Sequence, residues 1–255
     1  NMHETYDKWP MYAKDAFKKE FSKIQFQDID HVVLAGMGGS GAIGDIISAV
    51  LSREDIHVSN VKGYLLPKTV DKRTLVIATS ISGNTKETLS ILDYKSKSDA
   101  KFVAISSGGI MVKKCIENSI PHYNIPMNHS PRASFGVFLY SILNILGDAL
   151  PIQKSEVIES LEKMDQLQKN INSKKLDEEN QSLNLAKKIN LNPLIYYPDG
   201  LKAAAIRFKN SLQENSKIHT SIEDVIEASH NSISTWENNN NFKYLNHTPF
   251  IIFLL

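Results

Sequence analysis

Apolar and polar residues alternate along the first 150 residues in an order that predicts strands and helices in turn. Short apolar runs typical of buried strands are found at residues 31–35, 58–65, 74–79 and 101–105. Helix-like spacing is found at residues 12–22, 42–51 and 85–97, and a nearly continuous apolar run at 136–150 indicates a buried closing helix. This alternation predicts a doubly wound parallel sheet covered by helices. The expected core residues are Leu34, Ile46, Leu75, Ile77, Val103, Phe138 and Leu139.

The second part of the chain repeats the beginning of this pattern. Residues 153–190 are charged, with apolar residues three to four apart, which predicts a helical hairpin. Residues 194–197, the turn Pro198-Asp199-Gly200 and the helical stretch 201–213 then follow in the strand, turn and helix order of residues 31–51. We therefore predict an N-terminal domain at 1–150, a helical linker at 151–190 and a second α/β half at 191–255.

The last residues suggest that this second half is truncated. The apolar run at 250–255 corresponds to the strand at 74–79, which in the first half is followed by a helix, another strand and a closing helix. An apolar strand at an uncovered sheet edge favours aggregation. We therefore expect a further stretch of natural sequence after Leu255.

Composition narrows the choice of partner and compartment. The chain has 255 residues, 42% of them hydrophobic and 22% charged, as in ordinary globular proteins. Since 29 basic residues nearly balance 28 acidic ones, neither nucleic acid nor an anionic membrane is an expected partner. The one cysteine, Cys115, excludes an internal disulfide and is expected to be a small buried side chain. With no signal peptide and no membrane-length apolar run, a cytoplasmic protein is expected.

The first strand leads into a glycine-rich turn, Gly36-Met37-Gly38-Gly39-Ser40-Gly41, and then a helix. This order matches the dinucleotide-binding pattern G-x-G-x-x-G, which would make the protein a nucleotide-dependent oxidoreductase. The pattern also requires an acidic residue at the end of the next strand, and residues 61–66 contain none. The glycines alone therefore indicate only that a ligand or another segment approaches the backbone closely.

A second loop carries more chemistry. Thr79-Ser80-Ile81-Ser82-Gly83-Asn84-Thr85 joins an apolar strand to a helix. Hydroxyl groups and backbone N–H groups converge there at a helix N-terminus, an arrangement that suits a phosphate monoester. The alternative is a simple turn in which Asn84 or Thr85 caps the helix.

Together these loops resemble the SIS (sugar isomerase) domain. Three further segments are similar to the archaeal-type bifunctional phosphoglucose/phosphomannose isomerases: residues 131–136 (PRASFG), 208–217 (FKNSLQENSK) and 227–231 (EASHN). The resemblance covers most of the chain. It implies two SIS-type halves, the second incomplete.

The resemblance also implies a role for each matching residue. Gly38, Gly39 and Ser40 would line the sugar, and Ser80, Ser82 and Thr85 would hold its phosphate. Arg132 would lie beside the C1–C2 bond, Glu214 would be the proton-transfer base, and His230 would assist ring opening. In this family the histidine comes from the neighbouring subunit, which implies a homodimer with a shared active site. A lysine that the family places on a last helix has no counterpart here.

The resemblance implies an aldose–ketose isomerase that converts glucose 6-phosphate to fructose 6-phosphate, and it leaves open whether mannose 6-phosphate is also converted. A cis-enediol mechanism needs a carboxylate that takes and returns one proton, and a guanidinium can stabilise the enediolate without a metal. No cofactor is expected, and the eight histidines show no metal-ligand spacing. The rival hypothesis is an SIS sugar-phosphate sensor, which needs the phosphate loop but not Glu214, Arg132 or His230.

Overall fold

The computed structural model describes residues 1–22, 26–147, 149–189 and 192–234, and the backbone of 251–253. The chain divides into two compact units, Asn1–Asn180 and Gln181–Leu255. Each unit is described by itself below.

The first unit alternates strands and helices after two N-terminal helices. Its elements in chain order are α1 (Met2–Asp7), α2 (Trp9–Lys18), β1 (His31–Ala35), α3 (Gly38–Val50), β2 (His57–Val61), β3 (Thr74–Ser80), α4 (Lys86–Leu92), β4 (Lys101–Ser106), α5 (Ile110–Glu117), β5 (His122–Asn124), α6 (Phe135–Leu146) and α7 (Lys154–Ile171). The five strands form one sheet in the order β2-β1-β3-β4-β5, and every pair is parallel. The predicted α/β class with a parallel sheet is confirmed.

Side chains from alternate strand positions build a core on each face of this sheet. Val32 and Leu34 pack with residues of α2, α3, α6 and α7, whereas Val33 and Ala35 pack with residues of α4 and α5. This follows from the two-residue period of a strand, and it requires helices on both faces because the strands are apolar throughout. The expected core residues are buried, except that Ile46 is partly buried against the same core.

The second unit contains a smaller parallel sheet. Its elements are α8 (Gln181–Lys188), β6 (Leu194–Tyr197), α9 (Lys202–Ser211), a π-helical turn (Leu212–Ser216), β7 (Ser221–Asp224), α10 (Val225–His230) and β8 (Ile251–Phe253). The strand order is β7-β6-β8. The strand predicted at 250–255 is present at Ile251–Phe253, and its other residues lie outside the described part.

Several predicted boundaries are wrong for identifiable reasons. β2 ends at Val61 and not at Leu65, whose side chain is 74% exposed, because the apolar residues that follow the strand lie on the surface. The sequence analysis did not predict α5 or β5, which are short and mix polar with apolar residues. The domain ranges 1–150, 151–190 and 191–255 stay a prediction, although Val157 and Leu161 of α7 pack into the core of the first unit.

Among the residues that the structure describes, no helix is both long and apolar enough to cross a membrane.

Candidate functional site

The first sheet changes its direction of winding between β1 and β3. From β1 the chain passes to β2 on one side, and then returns to β3 on the other side. Loops at the carboxyl ends of strands separate at such a point, and ligands of open α/β sheets bind in the crevice that results. The glycine loop (residues 36–41) follows β1, and the β3 loop (residues 80–85) follows β3. This place, where the winding direction changes, is the topological switch point of the sheet. Both candidate loops of the sequence analysis therefore lie at the switch point.

The glycine loop is tight because its residues contact backbone atoms directly. A Cβ atom on Gly41 would lie 2.8 Å from the carbonyl oxygen of Gly36, and Gly38 has a φ of +54°. Helix α3 begins at Gly38, four residues earlier than predicted. Gly38 is exposed, Gly39 is partly exposed and Ser40 is buried.

The two loops are joined to each other. The backbone N–H of Ile81 donates a hydrogen bond to Oγ of Ser40 at 3.3 Å. Ser40 is 8% exposed, and this bond to its buried hydroxyl links the two loops. The predicted sugar-lining and phosphate-binding residues of this unit are thus neighbours.

Hydroxyl groups of the β3 loop bond to one another and to the loop's own backbone. Ser80 Oγ lies 2.9 Å from Thr85 Oγ1 and accepts a hydrogen bond from Gly83 N at 3.1 Å. Ser82 Oγ accepts a longer bond, 3.3 Å, from Asn84 N. Ser80 is buried, whereas Ser82 and Thr85 are partly exposed.

The alternative of a simple helix cap does not describe this loop. Thr85 occupies the N-cap position of α4, but its side chain makes no capping hydrogen bond. The side-chain oxygen of Asn84 accepts from the backbone of Ile110, the first residue of α5, and not from α4. The hydroxyl groups of the loop therefore do not serve to start the helix.

Arg132 lies where the chain returns from the carboxyl end of β5 to α6. It begins a short 3-10 turn, Arg132–Ser134, and is partly exposed. Trp9 Nε1 donates to the carbonyl oxygen of Ala133 at 2.6 Å, and Ser134 Oγ accepts from Asn128 N at 2.8 Å. These bonds fix the backbone that carries the guanidinium.

Glu214 lies in the second unit, in the π-helical turn that ends α9. The turn closes at Lys217, whose φ is +58°, and Gln213 Nε2 donates to the carbonyl oxygen of Thr220, just before β7. Glu214 is partly buried. Single π turns inside helices occur often at functional sites, and no residue pattern in the sequence had indicated this one.

His230 ends α10 and is exposed. This short helix follows β7, and the Asp224 side chain caps it by accepting from the backbone of Ile226 and Glu227 at 2.9 and 3.2 Å. Glu214 therefore precedes the amino end of β7, and His230 follows its carboxyl end.

The structure thus brings together Gly38, Gly39, Ser40, Ser80, Ser82 and Thr85, and places Arg132 on the same unit. Glu214 and His230 are on the second unit, at separate places. The sequence analysis missed the loop at residues 107–109, after β4. Its two glycines, Gly108 and Gly109, were the signal that could have identified it.

Neither a reactive thiol nor a metal site is found among the described residues. Cys115 is buried, and burial raises the pKa of its thiol to about 11, so it is a packing residue as predicted. Within the described residues, no three His, Cys, Asp or Glu side chains are grouped as metal ligands.

Comparison with solved structures and known sequences identifies the class of protein. Tagatose-6-phosphate ketose/aldose isomerase from Escherichia coli superposes with a TM-score of 0.63 at 17% identity, over 92% of this chain and 70% of that one. Residues 178–252 match the model of the bacterial phospho-glucose isomerase C-terminal SIS domain. The fold is that of SIS-type phosphosugar proteins.

Full-length relatives define the family. The bifunctional phosphoglucose/phosphomannose isomerase of Aeropyrum pernix is 30% identical over 244 residues, which are 92% of this chain and 70% of the relative. The protein of the same description from Caldicellulosiruptor bescii is 33% identical over 216 residues, 82% of this chain and 63% of that protein. The chain belongs to the bifunctional phosphoglucose/phosphomannose isomerase family. It spans just under two thirds of the length of the Caldicellulosiruptor protein.

Proposed function

We propose that the protein to which this chain belongs is a metal-independent aldose–ketose isomerase. It interconverts glucose 6-phosphate, and mannose 6-phosphate, with fructose 6-phosphate. The observation that carries the proposal is the pair of loops at the switch point, joined by the bond from Ile81 N to Ser40 Oγ. These loops suit a sugar phosphate. The glycine loop offers exposed backbone, and the β3 loop offers hydroxyl groups.

Phosphate binding is assigned to the β3 loop. Ser82 and Thr85 are partly exposed, and their hydroxyl groups can turn from the loop's own acceptors to phosphate oxygens. Ser80, the third residue proposed to hold the phosphate, is buried and would also keep the loop in shape by accepting from Gly83 N. Gly38, Gly39 and Ser40 would line the sugar on the other side of the switch point.

We propose a chemical role for three residues, and the resemblance of their segments to the family supports it. Glu214 would take the proton from C2 and return it to C1 of the enediol, and Arg132 would stabilise the negative oxygen of that intermediate. Neither step needs a metal or an organic cofactor. His230 would act as the proton shuttle in ring opening.

We also propose a homodimer in which His230 comes from the neighbouring subunit. The proposal rests on the family resemblance, and within one chain Glu214 precedes the amino end of β7 whereas His230 follows its carboxyl end. Two copies related by a two-fold axis would allow each Glu214 to meet the histidine of the other copy.

The test is an activity assay of the full-length protein in the presence of a chelator. Fructose 6-phosphate should form from glucose 6-phosphate and from mannose 6-phosphate at a rate that the chelator leaves unchanged. Binding of fructose 6-phosphate without turnover would instead support the rival hypothesis, an SIS sensor. Tight binding of NADH would support the oxidoreductase hypothesis and contradict the proposal.

A further inference from the structure

The loop after β4 and the first turn of α5 support the β3 loop through hydrogen bonds. Ser107 donates from both N and Oγ to the carbonyl oxygen of Ile81, at 3.0 and 2.6 Å. Met111 N donates to the carbonyl oxygen of Gly83 at 2.9 Å, and Ile110 N donates to Asn84 Oδ1 at 3.0 Å. The segment 107–111 therefore fixes the side of the β3 loop that faces β4.

Ser106, the last residue of β4, fixes the shape of this supporting segment. It is completely buried, and its hydroxyl donates to the carbonyl oxygen of Gly108 at 2.9 Å while accepting from Gly108 N at 3.2 Å. This small ring bends the chain where Gly108 has a φ of +134°. Gly108 in turn touches Gly83 so closely that a Cβ atom on Gly83 would overlap its carbonyl group.

His122 on β5 forms a hydrogen bond with Ser106. Its Nε2 lies 2.8 Å from Ser106 Oγ. Since the serine has a single proton and directs it to Gly108, the bond requires that His122 donates from Nε2. Burial lowers the pKa of His122, which favours the neutral ring with its one N–H in this bond. A continuous chain of contacts thus runs from β5 through Ser106 and Gly108 to the β3 loop.

We propose that His122 and Ser106 are positioning residues that hold the β3 loop in its phosphate-binding conformation. The inference rests on the proposed function of that loop. Ser106 does not touch the substrate in this scheme, because it is completely buried, and His122 acts through its bond to Ser106. Their effect reaches the phosphate through the bonds from Ser107, Ile110 and Met111.

The experiment compares phosphate affinity in variants of the full-length protein by calorimetry, with inorganic phosphate and with fructose 6-phosphate as the probes. Ser106→Ala should weaken the binding of both about tenfold, the size expected when a buried hydrogen-bonding group is lost. His122→Phe should do the same, whereas His122→Gln should restore most of the affinity because its amide N–H can donate to Ser106. In the isomerase assay KM should rise while kcat changes little.

Ser141→Ala is the matched control, since Ser141 is a buried serine on α6 of the same unit. It should leave phosphate affinity unchanged. The inference is overturned if Ser106→Ala binds phosphate as Ser141→Ala does, or if His122→Gln is as weak as His122→Phe. Should Ser106→Ala not fold, the two His122 variants decide the question.

A further variant separates this inference from the proposed function. If Ser82→Ala weakens phosphate binding and the Ser106 and His122 variants do not, only the positioning role is wrong. If Ser82→Ala has no effect, the β3 loop is not the phosphate site and the proposed function loses its main support.

Discussion

The α-carbon of Gly83 lies against the carbonyl group of Gly108, so closely that a methyl group at Gly83 would overlap it. Gly83 also has a φ of +70°, a conformation that residues with a side chain avoid. This contact brings together the loops after β3 and β4, and it explains why glycine is required at this position of the loop.

Gly83→Ala should therefore destabilise the protein by about 3 kcal/mol or more, from the left-handed backbone and the overlap together. Gly63→Ala is the control, because a Cβ atom there would meet nothing within 4 Å. Urea denaturation of the two variants measures the difference. Equal stabilities would contradict the packing of the two loops described above.

A second prediction concerns His31, at the amino end of β1. Its ring is 5% exposed, with Nδ1 3.2 Å from Thr74 Oγ1 and Nε2 3.0 Å from Ser59 Oγ. Burial, and next the nearby His57, lower its pKa, although Asp30 and Asp71 act in the opposite direction. The folded protein therefore binds a proton at His31 less readily than the unfolded chain does.

This lowered pKa determines how the free energy of unfolding depends on pH. Stability should fall as the pH drops below 6.5, the usual pKa of histidine, and level off below the lowered pKa of the folded state. His31→Gln should flatten this part of the profile, measured by urea denaturation from pH 7.5 to pH 5. His3→Gln is the control, since His3 is exposed on α1. If the slope persists unchanged in His31→Gln, His31 is not its source.

The sequence predicts the fold well in segments where nearly every residue is apolar. The apolar run at residues 31–35 predicts a strand that is buried on both faces of a sheet, and β1 occupies those residues. The loops after β1 and β3 could be identified because glycine and hydroxyl residues directly follow such strands. β5, three residues long, has no such pattern, and its parallel pairing with β4 is what makes it a strand.

Less of the candidate site could be predicted, because its geometry depends on contacts between residues that are far apart in the sequence. Ser106 and His122 are sixteen residues apart and carry no shared motif, so only the paired strands bring them together. The π-helical turn at Glu214 depends on how α9 ends before β7. The roles of Glu214, Arg132 and His230 came from family resemblance, and they stay predictions.

The proposed dimer makes a prediction about mixtures of inactive variants. If Glu214 and His230 of one site come from different subunits, Glu214→Gln and His230→Ala should each be inactive as full-length homodimers. Unfolding and refolding them together in equal amounts should restore about a quarter of the wild-type activity, since half the dimers are mixed and each has one intact site. No recovery, with mixed dimers shown by a tag on one variant, would mean that each site is built from one chain.

The last prediction tests Glu214 as the base. Glu214→Gln keeps the shape of the side chain but removes the basic oxygen, so enediol formation should stop while phosphate binding persists. In the full-length protein, kcat should fall roughly 10²–10⁴-fold with little change in the affinity for fructose 6-phosphate. Exchange of deuterium from solvent into C2 of glucose 6-phosphate reports the same step without the need for net turnover. Glu156→Gln, which changes an exposed carboxylate of α7, controls for the loss of charge alone. If Glu214→Gln exchanges deuterium at the wild-type rate, another group removes the proton and the role implied for Glu214 by the family is wrong for this protein.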